Sequence, residues 1–253
     1  MQIISSDSEI ITTQTPKGLL LFGFYSSLFV AISTIITFGF AMIAIPPAGP
    51  NCPSNCMEYP FLDLLKYYPR DYLWMYCAVF MLVGYLILTV VLLFQTDLFR
   101  KIYSFLGFCF AFMAVLILIS DYFVQFAVVP ISVRKSELEG IAILTQYNGH
   151  GIFIALEELG YSLMSISMLF LSFVFSIKRK LELSIRIVFT LSFLGSLISF
   201  VFYVIKYGID RSYLFEVATI TINFLVLITI GILLSIYFLK KRSPGDKLEE
   251  CAH

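Results

Sequence analysis

The chain contains six apolar runs, each longer than 20 residues, separated by short polar segments. They cover approximately residues 18–45, 73–96, 103–129, 151–177, 185–207 and 214–239. A helix needs about 20 apolar residues to cross the hydrocarbon core of a bilayer, whereas the strands of a membrane barrel have about 10 and alternate in polarity. The sequence therefore predicts an all-α, polytopic membrane protein, a single domain built as a six-transmembrane-helix bundle.

The composition supports this class and excludes others. Of the 253 residues, 59% are hydrophobic and 13% are charged, whereas a soluble domain has about 25% charged residues. The formal net charge is zero, so no basic field attracts a nucleic acid, and none is expected as a partner. The lipid bilayer is the expected partner, no cofactor is predicted, and the oligomeric state stays open.

The distribution of Lys and Arg predicts the orientation in the membrane. Six spans place both termini on one side, and the segments of that side carry eleven of the 17 Lys and Arg residues. Basic residues concentrate on the cytoplasmic side of membrane proteins. Both termini, including a tail over residues 240–253, are therefore predicted to be cytoplasmic. The two longer connections, 46–72 and 130–150, then lie on the outer face.

The outer connections are predicted to carry short interfacial helices. One covers about residues 61–68, in a tyrosine-rich stretch. The other follows from the helical spacing of Leu138, Ile141 and Leu144, with Ser136 as a possible cap.

Two cysteines of the first outer connection, Cys52 and Cys56, lie four residues apart. In an oxidising exterior this spacing is compatible with a disulfide. A metal pair or two free thiols are the alternatives. No further Cys or His lies nearby, so no metal site is predicted.

Several ionisable and amide side chains interrupt the outer halves of the spans. Such groups are costly at membrane depth, which makes each a candidate for ligand binding or proton transfer. Helical spacing places Asp121 with Gln125, Glu157 with Tyr161, and Glu216 with Asn223 on shared faces. The full candidate set is Asp121, Gln125, Glu157, Glu158, Tyr161, Glu216 and Asn223, with His150 at the mouth. Because lipid cannot satisfy these groups, the sequence predicts an outward-facing, carboxylate-lined cavity.

Plainer interpretations of the same residues stay open. Serine stripes in the spans are typical of close helix contacts. Glu216 is compatible with an interfacial position near Arg211, and His150 with a solvated turn. The sequence does not show which of Glu157 and Glu158 points inward.

Three functions are compatible with these residues. The first is binding or transport of a small cationic or amphiphilic ligand, with proton coupling through Asp121 and Glu157 or Glu158. The second is an integral-membrane enzyme that uses the carboxyl groups as acid and base on a lipid or isoprenoid, with Tyr161 and Asn223 orienting the substrate. The third is a non-catalytic sensor or assembly factor. The chain has no HExxH, GxSxG, GxGxxG, CxxC or P-loop motif, so no specific reaction is indicated.

Two stretches carry a resemblance, YPRDYLWMY at 68–76 and LTQYNGHGIFIALEELGY at 144–161. The chain resembles uncharacterised multi-pass membrane proteins of bacteria and archaea with about this length. The resemblance implies a prokaryotic cytoplasmic membrane and a shared helical bundle, and it implies no assigned activity. The sequence departs from these proteins at Gly149, where the resemblance leads us to expect Pro. With glycine in place of proline, this turn is expected to be softer.

Overall fold

The computed structural model describes residues 16–44, 52 and 56–242. Within them the chain is helical and forms no strand. The six long helices are α1 (Lys17–Ile43), α2 (Leu73–Gln95), α3 (Lys101–Ala127), α6 (Ile152–Ser172), α7 (Lys180–Tyr207) and α8 (Leu214–Arg242). All six are long and apolar enough to cross a membrane, so the predicted all-α, six-span class is confirmed. Of the predicted tail at 240–253, positions 243–253 lie outside the described residues.

Shorter helical segments fill the connections. Helix α4 (Val129–Arg134) follows α3, and α5 (Ile141–Leu144) precedes α6. The 3-10 turns are Leu62–Tyr67, Arg70–Tyr72, Leu98–Arg100 and Gly208–Arg211. Helix α7 ends where Gly208 adopts a φ of 57°, a left-handed conformation that suits glycine and stops the helix.

The long helices form a ring in chain order. Helix α1 packs against α2 and α8, α3 against α2 and α6, and α7 against α6 and α8. A further contact between α6 and α8 crosses the ring. This contact brings the polar faces of two helices that are distant in sequence into the interior of the bundle.

The fourth predicted span is shorter than its apolar run. Helix α6 ends at Ser172, five residues before the predicted boundary at 177. The carbonyl oxygens that follow are satisfied by arginine side chains: Arg100 Nη1 donates to Val174 O at 2.8 Å and Arg186 Nη1 to Phe175 O at 3.4 Å. These donors replace the next helical turn. We call this end of the bundle the basic end.

The opposite end is covered by residues 56–72 and 129–151, which we call the cap. It has its own small apolar core, which includes Leu64, Val129, Ile141 and Tyr147. The helix predicted at about 61–68 is the 3-10 turn Leu62–Tyr67.

The second predicted interfacial helix is reduced to the single turn α5. Ser136 and Gly140 have φ values of 61° and 78°, and left-handed residues interrupt a right-handed helix. Ser136 therefore does not act as a helix cap, and that expectation was wrong.

Candidate functional site

Three buried acidic side chains from three helices lie in the half of the bundle nearest the cap. Asp121 comes from α3, Glu157 from α6 and Glu216 from α8, and they are 2%, 0% and 8% exposed. The side chains of Glu157 and Glu216 lie next to each other, and Asp121 is a more distant acidic neighbour of Glu157. No ion pair joins any of the three to a described Lys or Arg. We call these residues the carboxyl cluster.

Two buried phenols border the carboxyl cluster. The Tyr122 hydroxyl donates to Glu157 Oε1 at 2.8 Å and lies 2.8 Å from the Tyr161 hydroxyl. The second oxygen of Glu157, Oε2, and Asp121 Oδ2 have no hydrogen-bond partner within the described part of the chain. Two carboxyl groups therefore keep a buried oxygen that can carry a proton.

A second polar layer lies deeper in the bundle and is fully hydrogen-bonded. Asn223 Nδ2 donates to Thr219 O at 2.8 Å, Ser165 Oγ at 3.0 Å and Tyr161 O at 3.3 Å. The Ser165 and Ser196 hydroxyls are 2.9 Å apart, and those of Ser196 and Thr219 are 3.1 Å apart. This layer joins α6, α7 and α8, and we call it the Asn223 layer.

Glu158 points away from the carboxyl cluster, although it is adjacent to Glu157 in sequence. Its Oε2 lies 2.6 Å from Arg211 Nη2 in the turn before α8. Arg211 therefore pairs with Glu158 rather than with Glu216. Of the two adjacent glutamates, Glu157 is the one that joins the carboxyl cluster.

Gln125 and His150 also lie outside the carboxyl cluster. The Gln125 amide holds the cap: it donates to Leu144 O, and its Oε1 accepts the Gln146 N–H at 2.9 Å. His150 is exposed, and its backbone N–H donates to Asn148 Oδ1 at 3.2 Å.

Several buried polar side chains of the structure were not among the candidate residues. Examples are Tyr122 in the bundle and Asp71 and Tyr147 in the cap. Asp71 Oδ1 accepts from Arg70 Nε at 2.7 Å, and Asp71 Oδ2 accepts from the Tyr147 hydroxyl at 3.2 Å. Burial, together with the nearby Tyr72 and Asp71, raises the pKa of the Tyr147 phenol. For Tyr122 a signal existed, because it shares a helical face with Gln125 three residues later.

The described grooves lie elsewhere. One, of about 360 Å³, is lined by apolar residues and Lys101 near the basic end. The other, of about 600 Å³, is lined by cap residues including Cys56 and Asp63. The outward-facing cavity expected from the sequence is neither of them, and the residues of the carboxyl cluster are buried.

Cys56 of the cap is joined to Cys52 by a disulfide with a Cα–Cα distance of 5.8 Å. Among the described residues, no group of three or more His, Cys, Asp or Glu side chains could hold a metal ion.

Comparison with known proteins yields no match to a protein family, to a curated protein or to a solved structure. This outcome is consistent with the resemblance to uncharacterised membrane proteins and assigns no activity to the chain.

Proposed function

We propose that this integral membrane protein binds and releases protons at the carboxyl cluster and couples this step to the binding or transport of a small molecule or ion. The observation that carries the proposal is the contact between Glu157 and Glu216, two buried carboxyl groups without a described cationic partner. We place the protein in a prokaryotic cytoplasmic membrane with both termini cytoplasmic, on the basis of the resemblance and of the Lys and Arg distribution.

The cost of buried charge favours proton binding at the carboxyl cluster. An ionised carboxylate in an apolar interior is costly unless a cation or several donors compensate it. Two adjacent carboxylates also repel each other, so such a pair titrates as a unit and retains a proton. Because a proton needs no cavity, it is a ligand that the buried carboxyl cluster can accept as it stands.

Deprotonation of the Glu157 and Glu216 pair supplies a means of coupling proton release to the binding of a ligand. A second negative charge at the contact of Glu157 and Glu216 would push α6 and α8 apart at the cap end. The protonated pair then favours a closed arrangement of α6 and α8, and the deprotonated pair favours an open one. A difference of this kind is what links protonation to a conformational change. In the open arrangement a small cationic or amphiphilic ligand would meet Asp121 and Glu157.

The two polar layers argue against a purely structural role for the carboxyl cluster. The Asn223 layer is saturated with hydrogen bonds, as expected of groups that hold helices together. In the carboxyl cluster, by contrast, Glu157 Oε2 and Asp121 Oδ2 lack partners in the described structure. We rank the enzyme hypothesis below binding or transport. Tyr161 and Asn223, which would orient a substrate, are fully buried and are bound to protein groups rather than facing a substrate groove.

Infrared difference spectroscopy tests the proton site directly. The protein in lipid nanodiscs is taken through a pH change, and the C=O stretch of protonated carboxyl groups is followed. We expect a pH-dependent band in the wild type that Glu157→Gln and Glu216→Gln reduce. Glu137→Gln, an exposed cap residue, should leave it unchanged. Identical spectra in all four proteins would overturn the proposal.

A flux measurement separates coupling from helix stabilisation. Proteoliposomes containing a pH-sensitive dye report proton movement under an imposed gradient, alone and with candidate organic cations. We expect flux in the wild type and in Glu137→Gln, and its loss in Glu157→Gln. A carboxyl band without any flux would instead support the non-catalytic assembly factor.

A further inference from the structure

The groove near the basic end lies where α2 ends and α3 begins, and we call it the Lys101 groove. Its volume is about 360 Å³, and its described walls are Leu93 and Phe94 of α2 and Lys101, Ile102 and Phe105 of α3. The Phe94, Ile102 and Phe105 side chains are 68%, 58% and 50% exposed. Both helices are long and apolar enough to cross a membrane. The groove therefore lies on the outside of the bundle, at the end of two spans.

Lys101 carries the charge among the described walls of this groove. Its Nζ donates to Leu93 O at 2.6 Å and lies 5.7 Å from the centre of the Phe94 ring. These contacts hold the ammonium group beside the apolar walls. An ammonium group has three N–H donors, and the Leu93 carbonyl takes one of them. No ion pair joins Lys101 to a described Asp or Glu, so its charge is available to an anion.

The turn between α2 and α3 has the side chains of a segment that enters the bilayer interface. Leu98 and Phe99 are 86% and 94% exposed, which is unfavourable in water and favourable among lipid chains. Arg100 and Lys101 follow them directly in the sequence. Lysine places its apolar stem along lipid while its charged end stays at the polar surface. The Lys101 ammonium group is therefore expected at the depth of the lipid headgroups.

The charge of the basic end favours an anionic lipid over a neutral one. The described segments of this end at 17, 97–101, 178–186 and 240–242 contain ten Lys and Arg residues. The same segments contain two acidic residues, Asp97 and Glu182, and Glu182 is paired with Arg179. Basic pockets between membrane helices attract anionic headgroups. A zwitterionic headgroup has its own cation, which this excess of positive charge repels.

We propose that the Lys101 groove binds one anionic phospholipid, with the lipid phosphate at the Lys101 ammonium group and an acyl chain along the start of α3. Phe105 lies four residues beyond Lys101 in the same helix, a rise of about 6 Å at 1.5 Å per residue. One lipid can therefore contact both the charge and the apolar walls. The inference goes beyond the proposed function, because this groove is at the opposite end of the bundle from the carboxyl cluster.

Native mass spectrometry tests the preference for an anionic lipid. Protein is released from nanodiscs that contain equal amounts of phosphatidylglycerol and phosphatidylcholine, and the ratio of the two retained lipids is measured. We expect phosphatidylglycerol to be retained in excess by the wild type. Lys101→Gln should lower the ratio about fivefold, because one basic residue near an anionic lipid surface contributes about 1 kcal/mol. Lys101→Arg keeps the charge and should keep the excess.

A matched control separates this groove from the general charge of the basic end. Lys240 is exposed at the end of α8, which packs against α1 and α7 rather than beside the groove. Lys240→Gln removes the same charge from the same end of the bundle. We expect this variant to keep the wild-type lipid ratio.

Photocrosslinking locates the lipid in the wild-type protein, so it also decides the case if Lys101→Gln does not fold. Phosphatidylglycerol with a photoreactive group on one acyl chain is added to the nanodiscs, and the adducts are mapped by peptide mass spectrometry. We expect the adducts to concentrate within residues 93–105. Photoreactive phosphatidylcholine should give far fewer adducts in this segment.

Three results would overturn the proposal. The first is an equal lipid ratio in the wild type and Lys101→Gln. The second is an equal fall in Lys101→Gln and Lys240→Gln, which would show a general attraction of anionic lipid to the basic end. The third is a set of adducts spread evenly over the six long helices. The proton site is tested by the carboxyl band and by flux, so failure of one proposal leaves the other standing.

Discussion

The Tyr122 hydroxyl in α3 donates a 2.8 Å hydrogen bond to Glu157 Oε1 in α6. This bond and the contact between the Tyr122 and Tyr161 hydroxyls link the two helices at the carboxyl cluster, and Tyr122 and Glu157 are both fully buried. The bond from Tyr122 satisfies Oε1 of Glu157, whereas Oε2 has no hydrogen-bond partner within the described residues. The phenol therefore orients the carboxyl group that the proposed function needs.

Removal of this phenol should destabilise the bundle. Tyr122→Phe leaves a buried acceptor unsatisfied, which costs about 1–3 kcal/mol. We expect a lower midpoint in thermal unfolding of the protein in nanodiscs. Tyr103→Phe provides the control, because Tyr103 lies in the same helix, is 40% exposed and makes no described hydrogen bond through its hydroxyl. Equal midpoints for the two variants would contradict the assigned role of Tyr122.

The Asn223 layer should contribute to stability and leave proton binding unaffected. Asn223→Leu removes the donor shared by Ser165 and two backbone carbonyls. An interhelical polar contact in a membrane is worth about 1–2 kcal/mol at most, and we expect a loss of this size in denaturant unfolding. Thr221→Val is the matched control, since the Thr221 hydroxyl bonds only to Val217 O in its own helix. Loss of the pH-dependent carboxyl band in Asn223→Leu would show that the two layers act as one.

The ion pair of Glu158 with Arg211 should be measurable but weak. The Arg211 side chain is 31% exposed, so solvent screens the attraction, and a coupling energy of about 1 kcal/mol is expected. A double-mutant cycle of Glu158→Gln and Arg211→Gln measures it from unfolding free energies. The coupling should fall as salt is raised. A coupling that salt leaves unchanged would indicate that Arg211 interacts instead with a group inside the bundle.

The contact between α1 and α8 should tolerate no side chain at Gly231. A Cβ there would lie 2.7 Å from Ser27 O and from the Ala31 Cβ, so Gly231→Ala must separate the two helices. Overpacking of this kind costs about 1–3 kcal/mol, visible as a lower unfolding midpoint. Gly39→Ala is the control, because nothing lies within 4 Å of its Cβ position. If both variants unfold at the same temperature, the helices are less closely packed than described.

The six spans could be read from the sequence because a bilayer demands a minimum length of apolar helix. The boundaries were less predictable. Apolar residues continue past Ser172, and α6 ends there because Arg100 and Arg186 bind the next carbonyl groups. Arg100 lies in the 3-10 turn before α3 and Arg186 lies in α7, so both of these donors come from outside α6.

The polar residues, like the helix boundaries, could be predicted only in part from the sequence. That Asp121, Glu157 and Glu216 avoid lipid follows from their chemistry alone. Which of them meet does not: Glu157 faces Tyr122 and Glu216, Glu158 turns to Arg211, and Gln125 holds the cap instead of joining Asp121.

The physical reason lies in the solvent. In water, an apolar stripe shows which face of a helix turns inward. In a bilayer the lipid is as apolar as the protein interior, so the rotation of each helix is set by its neighbours and by a few polar contacts. Length and composition are therefore enough to establish a six-helix membrane bundle, whereas the partners of each buried carboxyl group depend on the packing of helices far apart in the chain.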